Sequence, residues 1–328
     1  MPKLSIIIPN WNGKDLLSDC LKSLDNQIFK DFEIIVVDNG SSDCSVEYLK
    51  NNYPKIRILT LDKNYGFSKA INQGIKVAKG EYLFLLNNDT EIDRNCLNIL
   101  NIALDENPDI YFCATKMIYF HDHKFINDAG DIFSIYGIAH QRGKGEQDKG
   151  QYDKRELVFG ACAGGAIYRR NFFNKVGLLD EDFFAYLEDI DLSLRGQLLG
   201  YKCLYVPEAI VYHLDGGTSK KINNMARFLT LRNSLFVFFK DFPLFLIIIL
   251  LPFFAIGQIR NVFIGIKHRC FVLIIKVYID FFKNIIKTLK KRKKIQSNKK
   301  VSNMYILSIL SKKYPFSIIK SFKNMISI

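Results

Sequence analysis

LSIIIPNWNG, residues 4–13, decides the fold. Its first five residues form an apolar run rich in β-branched side chains, the pattern of a parallel strand buried on both faces. Residues 14–24 follow with Leu16, Leu17, Cys20, Leu21 and Leu24 in an i, i+3/i+4 stripe, which is the apolar face of an amphipathic helix. The same alternation recurs downstream. EIIVV (33–37), IRILTL (56–61) and EYLFLL (81–86) read as strands, and 44–51 and 67–78 have helical spacing. Four such units within the first 90 residues predict an α/β chain with a doubly wound, mostly parallel sheet.

Ligands of such sheets sit at the carboxyl ends of the strands, so the residues after each run carry the function. They are polar in every case: PNWNG (9–13), DNGSSD (38–43), DKNYGFSKAINQG (62–74) and NNDT (87–90). Any one of these suits a turn or helix cap. Four on one rim point to a site. Residues 122–154 are polar, Gly-rich and poorly periodic, which predicts an excursion or flexible loop over that rim. LVFGACAGGAIYRR (157–170) then reads as a strand with small residues where another group approaches the backbone. Residues 183–201 open a helix whose first turn holds Glu188, Asp189 and Asp191. Residues 203–219 read as two short strands and a Gly-rich loop near His213.

The 328 residues carry a net charge of +13, unevenly placed. Residues 240–328 hold 18 basic and two acidic side chains, a charge of +16, and residues 1–239 carry −3. A mildly acidic body with a basic tail is not a uniformly basic nucleic-acid binder. At 48% hydrophobic and 13% aromatic the chain is not disordered either. Seven scattered cysteines without a CxxC pair indicate neither a disulfide framework nor a zinc ribbon, and a reducing cytosol is the simpler setting. The first strand is expected to begin at Leu4, so no secretory leader is expected ahead of it.

SIIIPNWNG, VVDNGSSD, NYGFSKAINQG, GEYLFLLNNDT, GACAGGAIYRR, YLEDIDLSLR and YHLDGGTS, in this order, resemble family 2 glycosyltransferases of the GT-A fold, especially their bacterial rhamnosyltransferase-like branch. The resemblance covers residues 4–219. It implies that Pro9, Asn10 and Asn12 line a nucleotide pocket, that Asp38 hydrogen-bonds the base or ribose, and that Asn64, Gly66, Lys69 and Asn72 border the same pocket. A turn is the structural alternative for Asn10 and Asn12, and a solvated helix charge the alternative for Lys69. NNDT stands where the family has its DxD metal motif. Asn87 replaces the first Asp, Asn88 lies between, and Asp89 remains the main carboxylate ligand of Mn²⁺ or Mg²⁺. His213 matches a further metal ligand, and Gly164 and Gly165 border the donor sugar.

EDID supplies the implied chemistry. Asp189 matches the general base, Glu188 and Asp191 position acceptor or base, and Arg195 holds Asp191 or a phosphate oxygen. The implied course is inverting transfer from a dTDP- or UDP-sugar to a saccharide or lipid-linked saccharide. Transfer to a polyprenyl phosphate and a catalytically silent, membrane-docked binder are the alternatives.

Residues 242–259 run 18 positions without a charge, at the lower edge of what crosses a bilayer. Residues 271–282 contain Lys276 and Asp280 and suit an interfacial helix, and a Lys/Arg-rich stretch follows at 287–300. A nucleic-acid tail has no reason for the apolar run before it, so a helical cap or membrane attachment remains. The expected division is a GT-A domain at 1–235 and a basic helical tail at 236–328. That tail is expected to lie peripherally or re-entrantly on an anionic membrane surface, at the cytoplasmic face.

Overall fold

The structure, a computed structural model, describes residues 1–214, 223–267 and 270–313. Residues 215–219 of YHLDGGTS and the chain beyond residue 313 lie outside the described residues. The first half follows the apolar runs closely: β1 (Leu4–Asn10), α1 (Lys14–Asp25), β2 (Phe32–Asp38), α2 (Ser45–Asn52), β3 (Arg57–Thr60), α3 (Phe67–Val77) and β4 (Tyr82–Leu86). The strands are parallel in the order β3-β2-β1-β4. Their order reverses between β1 and β4, where the loops diverge and open a crevice. Period two along β1 serves both layers, with Ile6 and Ile8 packed among α1 and α4 side chains and Ile7 among those of α3. Gly74 lets α3 approach β1, since a Cβ there would strike the Ile7 side chain.

The expectation of a mostly parallel sheet fails beyond β4. Next come β5 (Thr90–Ile92), α4 (Cys96–Glu106), β6 (Ile110–Tyr119), β7 (Ile126–Asp128), β8 (Asp131–Phe133) and β9 (Ala139–Gln141). They lead to β10 (Glu156–Val158), β11 (Gly165–Arg169), α5 (Arg170–Val176), a 3₁₀ turn at Glu181–Phe183, α6 (Glu188–Leu198) and β12 (Lys202–His213). β11 is antiparallel to both β4 and β6, β12 is parallel to β6, and the sheet is mixed. The cause is chain direction: β6 ends at the rim, the following segment stays there, and β11 starts at the rim with Gly165 opposite Leu86. Residues 157–170 therefore form two strands joined by a rim loop, and residues 203–213 form one strand with an irregularity between Val206 and Ile210. The stretch 122–154, expected as an excursion or flexible loop, is built structure: β7 pairs with β6, and β8 and β9 make a separate hairpin.

Five helices follow: α7 (Asn223–Asp241), α8 (Leu244–Lys267), α9 (Phe271–Lys283), α10 (Ile285–Ser297) and α11 (Asn303–Ile309). The division expected at residue 235 falls inside α7. Ile190, Leu194 and Leu198 of α6 share one apolar cluster with Phe236, Leu250 and Phe281, so the core behind α6 continues into these helices. Among the described residues, α8 is the one helix long and apolar enough to cross a membrane. Its inner side buries Leu246, Leu250 and Phe254, and its outer side exposes Phe245, Ile248, Ile249, Ile256 and Phe263. α9 likewise exposes Phe271, Val272, Ile275 and Ile279. Part of the basic charge is used internally. Lys291 pairs with Asp180 and, at 2.7 Å, with Asp182, which also takes Lys287, while Lys290, Lys293 and Lys294 stay exposed.

Candidate active site

A cavity of about 450 Å³ opens over the rim where β1, β4, β12 and the start of α6 meet. Pro9, Asn10, Asn64 and Gly66 form one side of it. Its polar groups are held by one another. The Asn10 amide donates to Asp38 Oδ1 (3.1 Å), the Asn88 amide donates to Asn10 Oδ1 (2.7 Å), and Ser41 N donates to Asp38 Oδ2 (3.0 Å). Asp38, 2% exposed, thus stands behind the wall and fixes Asn10; it is not a lining residue. Asn12 also lies outside the lining, in left-handed backbone (φ 49°), with its side-chain oxygen accepting from Ser42 N at 2.7 Å. Lys69 and Asn72 face away too. Lys69 pairs with Glu181 at 2.9 Å, and Asn72 exchanges hydrogen bonds with the backbone of Leu179, so both fasten α3 to the 3₁₀ turn.

Asn87, Asn88, Asp89, Gly164 and His213 line the next side. A Cβ on Gly164 would sit 2.9 Å from the Asn87 amide, so glycine lets the β10–β11 loop approach β4, whereas Gly165 is one residue too deep and packs on Thr115 inside the sheet. Asp89 Oδ1 and His213 Nε2 are 3.4 Å apart, and Asn127 Oδ1 lies 3.0 Å from Nδ1 of the same ring. With that oxygen accepting the Nδ1 proton, Nε2 presents its lone pair toward Asp89, the orientation a metal-binding imidazole needs. Among the described residues no third His, Cys, Asp or Glu converges there. Asp89 and His213 would be the two protein donors to a divalent ion bound there.

The third side is the start of α6. Asp189 lines the cavity, accepts from Ile190 N (2.8 Å) and Ala163 N (3.4 Å), and is pushed above the usual carboxylate range by burial. Glu188 is 6% exposed, and its Oε2 has no hydrogen-bond partner; burial, then the neighbouring Asp189 charge, raises it well above the ordinary value. Asp191 and Arg195 correct the expectation. Two residues along a helix is a rotation of roughly 200°, so Asp191 points away from Asp189. It receives Arg195 Nη2 at 2.7 Å and pairs with the buried ammonium of Lys240, which also holds Asp180 at 2.6 Å. Burial alone would raise Asp191, but the Arg195 and Lys240 charges hold it below the usual range. These groups brace α6 and do not line the cavity.

The approach to Glu188 is strained. Phe184, Tyr186 and Leu187 have φ of 65°, 67° and 63°, left-handed backbone that bulky side chains rarely adopt and that persists at functional sites when neighbours enforce it. Asn233 of α7 enforces it here, with Nδ2 2.6–3.0 Å from the carbonyl oxygens of Phe183, Ala185 and Tyr186. Arg232 Nη2 adds bonds to the carbonyls of Asp182 and Phe183. Sequence reading missed both, because α7 follows the last motif and one Asn in a helix carries no signature. It also missed Asn39, Asp131 and His140, all on the cavity wall. Asn39 was detectable as the middle of a rim loop; the other two sit in the stretch read as flexible.

The fold is GT-A-like: it superposes on the crystal structure of GalNAc-T7 with UDP, GalNAc and Mn²⁺ with a TM-score of 0.57, at 20% identity, over 72% of this chain and 47% of that one. Residues 5–177 match the family model of glycosyl transferase family 2, more than half of the chain, and the protein belongs to that family. It is 41% identical over 123 residues to the poly(ribitol-phosphate) beta-glucosyltransferase of Bacillus spizizenii, covering 35% of this chain and 19% of that protein. It is 40% identical over 105 residues to the GalNAc(5)-diNAcBac-PP-undecaprenol beta-1,3-glucosyltransferase of Campylobacter jejuni, covering 30% and 34%. The chain spans between about a fifth and about three fifths of the length of the curated relatives it matches first.

Proposed function

We propose that this chain is an inverting glycosyltransferase that moves a sugar from a dTDP- or UDP-sugar to a hydroxyl of a saccharide, lipid-linked, during assembly of a bacterial surface polysaccharide. The observation that carries it is Asp189, on the wall of the same cavity as the Asp89–His213 pair. Asp189 takes the proton of the acceptor hydroxyl as that oxygen bonds to the anomeric carbon. The bond from that carbon to the diphosphate breaks on the opposite face, and the nucleoside diphosphate leaves. Burial lifts the pKa of Asp189, which makes it a stronger base than an ordinary aspartate. Asp89 and His213 would hold Mn²⁺ or Mg²⁺, which supplies positive charge to the departing diphosphate; the imidazole favours Mn²⁺. Asn10 and Asn64, fixed by their own networks, shape the wall against which the nucleotide sits. The rhamnosyltransferase-like assignment of the donor rests on motif resemblance.

The outward apolar faces of α8 and α9, with exposed Lys290, Lys293 and Lys294 on α10, support attachment to the cytoplasmic face of an anionic membrane, peripherally or as a re-entrant hairpin. Release of the full chain at alkaline pH is expected in a carbonate extraction, and retention with the bilayer would instead indicate a spanning helix. The enzymatic reading is tested by a thermal-shift screen of nucleotide sugars with and without Mn²⁺, paired with Asp189→Asn. Stabilisation by a UDP- or dTDP-sugar in both forms is expected, with transfer lost in the variant. No shift with any nucleotide sugar, or full turnover by the variant, overturns it.

A further inference from the structure

The segment that brings Glu188 and Asp189 onto the cavity wall is gripped from three helices before it enters α6. From α3, Lys69 pairs with Glu181 at 2.9 Å, and Asn72 bonds the backbone of Leu179 in both directions. From α7, Lys240 pairs with Asp180 ahead of the strained residues and with Asp191 behind them, so one ammonium ties the two ends of the segment together. The third grip comes from the basic tail. Lys291 of α10 reaches Asp180 Oδ1 and, at 2.7 Å, Asp182 Oδ2, while Lys287, one helical turn earlier, pairs with Asp182 Oδ1.

The tail lysines do what α7 does not. Lys240 already serves two carboxylates, and among the described residues the Asp182 carboxylate pairs with α10 alone. Asp180 Oδ1 accepts from Asp182 N at 3.1 Å and so caps the 3₁₀ turn, which places Lys291 on the atom that shapes it. Burial alone would raise the Asp180 carboxyl, but Lys240 and Lys291 hold it below the usual range, charged and able to cap. Phe184, Tyr186 and Leu187 follow in left-handed backbone, and Asp189 comes two residues after them. The Lys287 pair is weak by itself, since that side chain is 58% exposed. Lys291 is more enclosed and bridges two carboxylates within a network, the arrangement in which an ion pair holds its geometry.

We propose that Lys291, assisted by Lys287, is a positioning residue of the reaction: from the tail helix it holds the 3₁₀ turn through Asp180 and Asp182, and so fixes where Asp189 meets the acceptor hydroxyl. This rests on the glycosyltransferase reading above. It gives two faces of α10 separate tasks, because Lys293, turned by roughly 200° from Lys291, stays exposed.

The test pairs hydrogen–deuterium exchange of the full chain with nucleotide release from UDP- and dTDP-hexoses, in Mn²⁺ and with p-nitrophenyl glycosides as soluble acceptor probes. Lys291→Met, Lys291→Arg, Asp182→Asn and the control Lys293→Met are compared with wild type. In Lys291→Met, exchange is expected to rise over residues 181–190 but not in β1 to β4. In the same variant kcat falls about tenfold and the donor KM stays within about twofold. Lys291→Arg restores both readouts, and Lys293→Met, which removes the same charge, alters neither. Asp182→Asn also lowers kcat, and joined to Lys291→Met it adds less than its own separate loss, as residues acting through one contact do. Unchanged exchange over 181–190 in Lys291→Met overturns the proposal, as does local loosening with full kcat. Exchange raised throughout the sheet makes the contact structural and also overturns it. A wild-type chain that releases nucleotide from none of these sugars overturns the glycosyltransferase reading instead, and exchange, which needs no substrate, still decides whether the grip exists.

Discussion

The two sides of the cavity, proposed above to hold the nucleotide and to carry the reaction, are built on opposite terms. On the first, side chains complete one another: Asn10 with Asp38 and Asn88, Asn39 with Asn64, Asn12 with Ser42. On the second, Glu188 and Asp131 keep oxygens without partners, and three bulky residues hold left-handed backbone. A satisfied network fixes shape before the ligand arrives, and unsatisfied, strained groups store the capacity to act on it.

Breaking the reaction side is expected to cost turnover. Asn233→Leu frees the carbonyls of Phe183, Ala185 and Tyr186 and lets the turn before Glu188 relax. A displacement of about 1 Å there lowers kcat by roughly 10²-fold, with UDP affinity unchanged; an unaltered kcat in steady-state assays would show that the clamp serves folding alone. Removing the brace behind α6 comes next. Lys240→Met leaves Asp191 and Asp180 short of a buried partner and is expected to cost about 3–5 kcal/mol in urea unfolding at neutral pH.

Acid sharpens the same contrast between Asp189 and Asp191. Burial raises the pKa of Asp189, so the proposed base takes up its proton, and turnover fades, at a higher pH than an ordinary aspartate would require. Asp191 and Asp180, despite burial, are held low by facing cations. Their contribution to stability is complete above the unfolded-state pKa near ~4 and is lost only as pH falls through the lowered folded values. Activity is therefore expected to disappear on acidification before circular dichroism changes; simultaneous loss would contradict the separation. The smallest effect is reserved for Lys69→Ala. Its pair with Glu181 is about a third exposed, and a change of about 0–1 kcal/mol in Tm-derived stability is expected.

The legibility of the two sides differed for the same reason. β1 to β4 are continuous apolar runs and their loops are short, so strand ends placed Asn10, Asn64, Asn87 and Asp89 on one rim without further information. The helix stripe also located Glu188 and Asp189. It could not separate Asp189 from Asp191, because both occupy one turn and only the phase of α6 against α7 decides which faces the cavity. Asp131 and His140 were hidden in a stretch whose short strands pair locally and leave no period, and Asn233 acts through backbone carbonyls, which have no sequence signature. The antiparallel course of β11 depends on where the chain re-enters the sheet, and composition does not encode that.

α7 gives Asn233 to the turn before Glu188 and Lys240 to Asp191, and it leads directly into the apolar α8. A shortened enzyme made by cutting the chain at residue 235 would discard Lys240 and more than half of the cluster behind α6. Polar replacements at Phe245, Ile248 and Ile249, all outward-facing on α8, are the better engineering route to solubility, since they leave every contact of the catalytic wall in place.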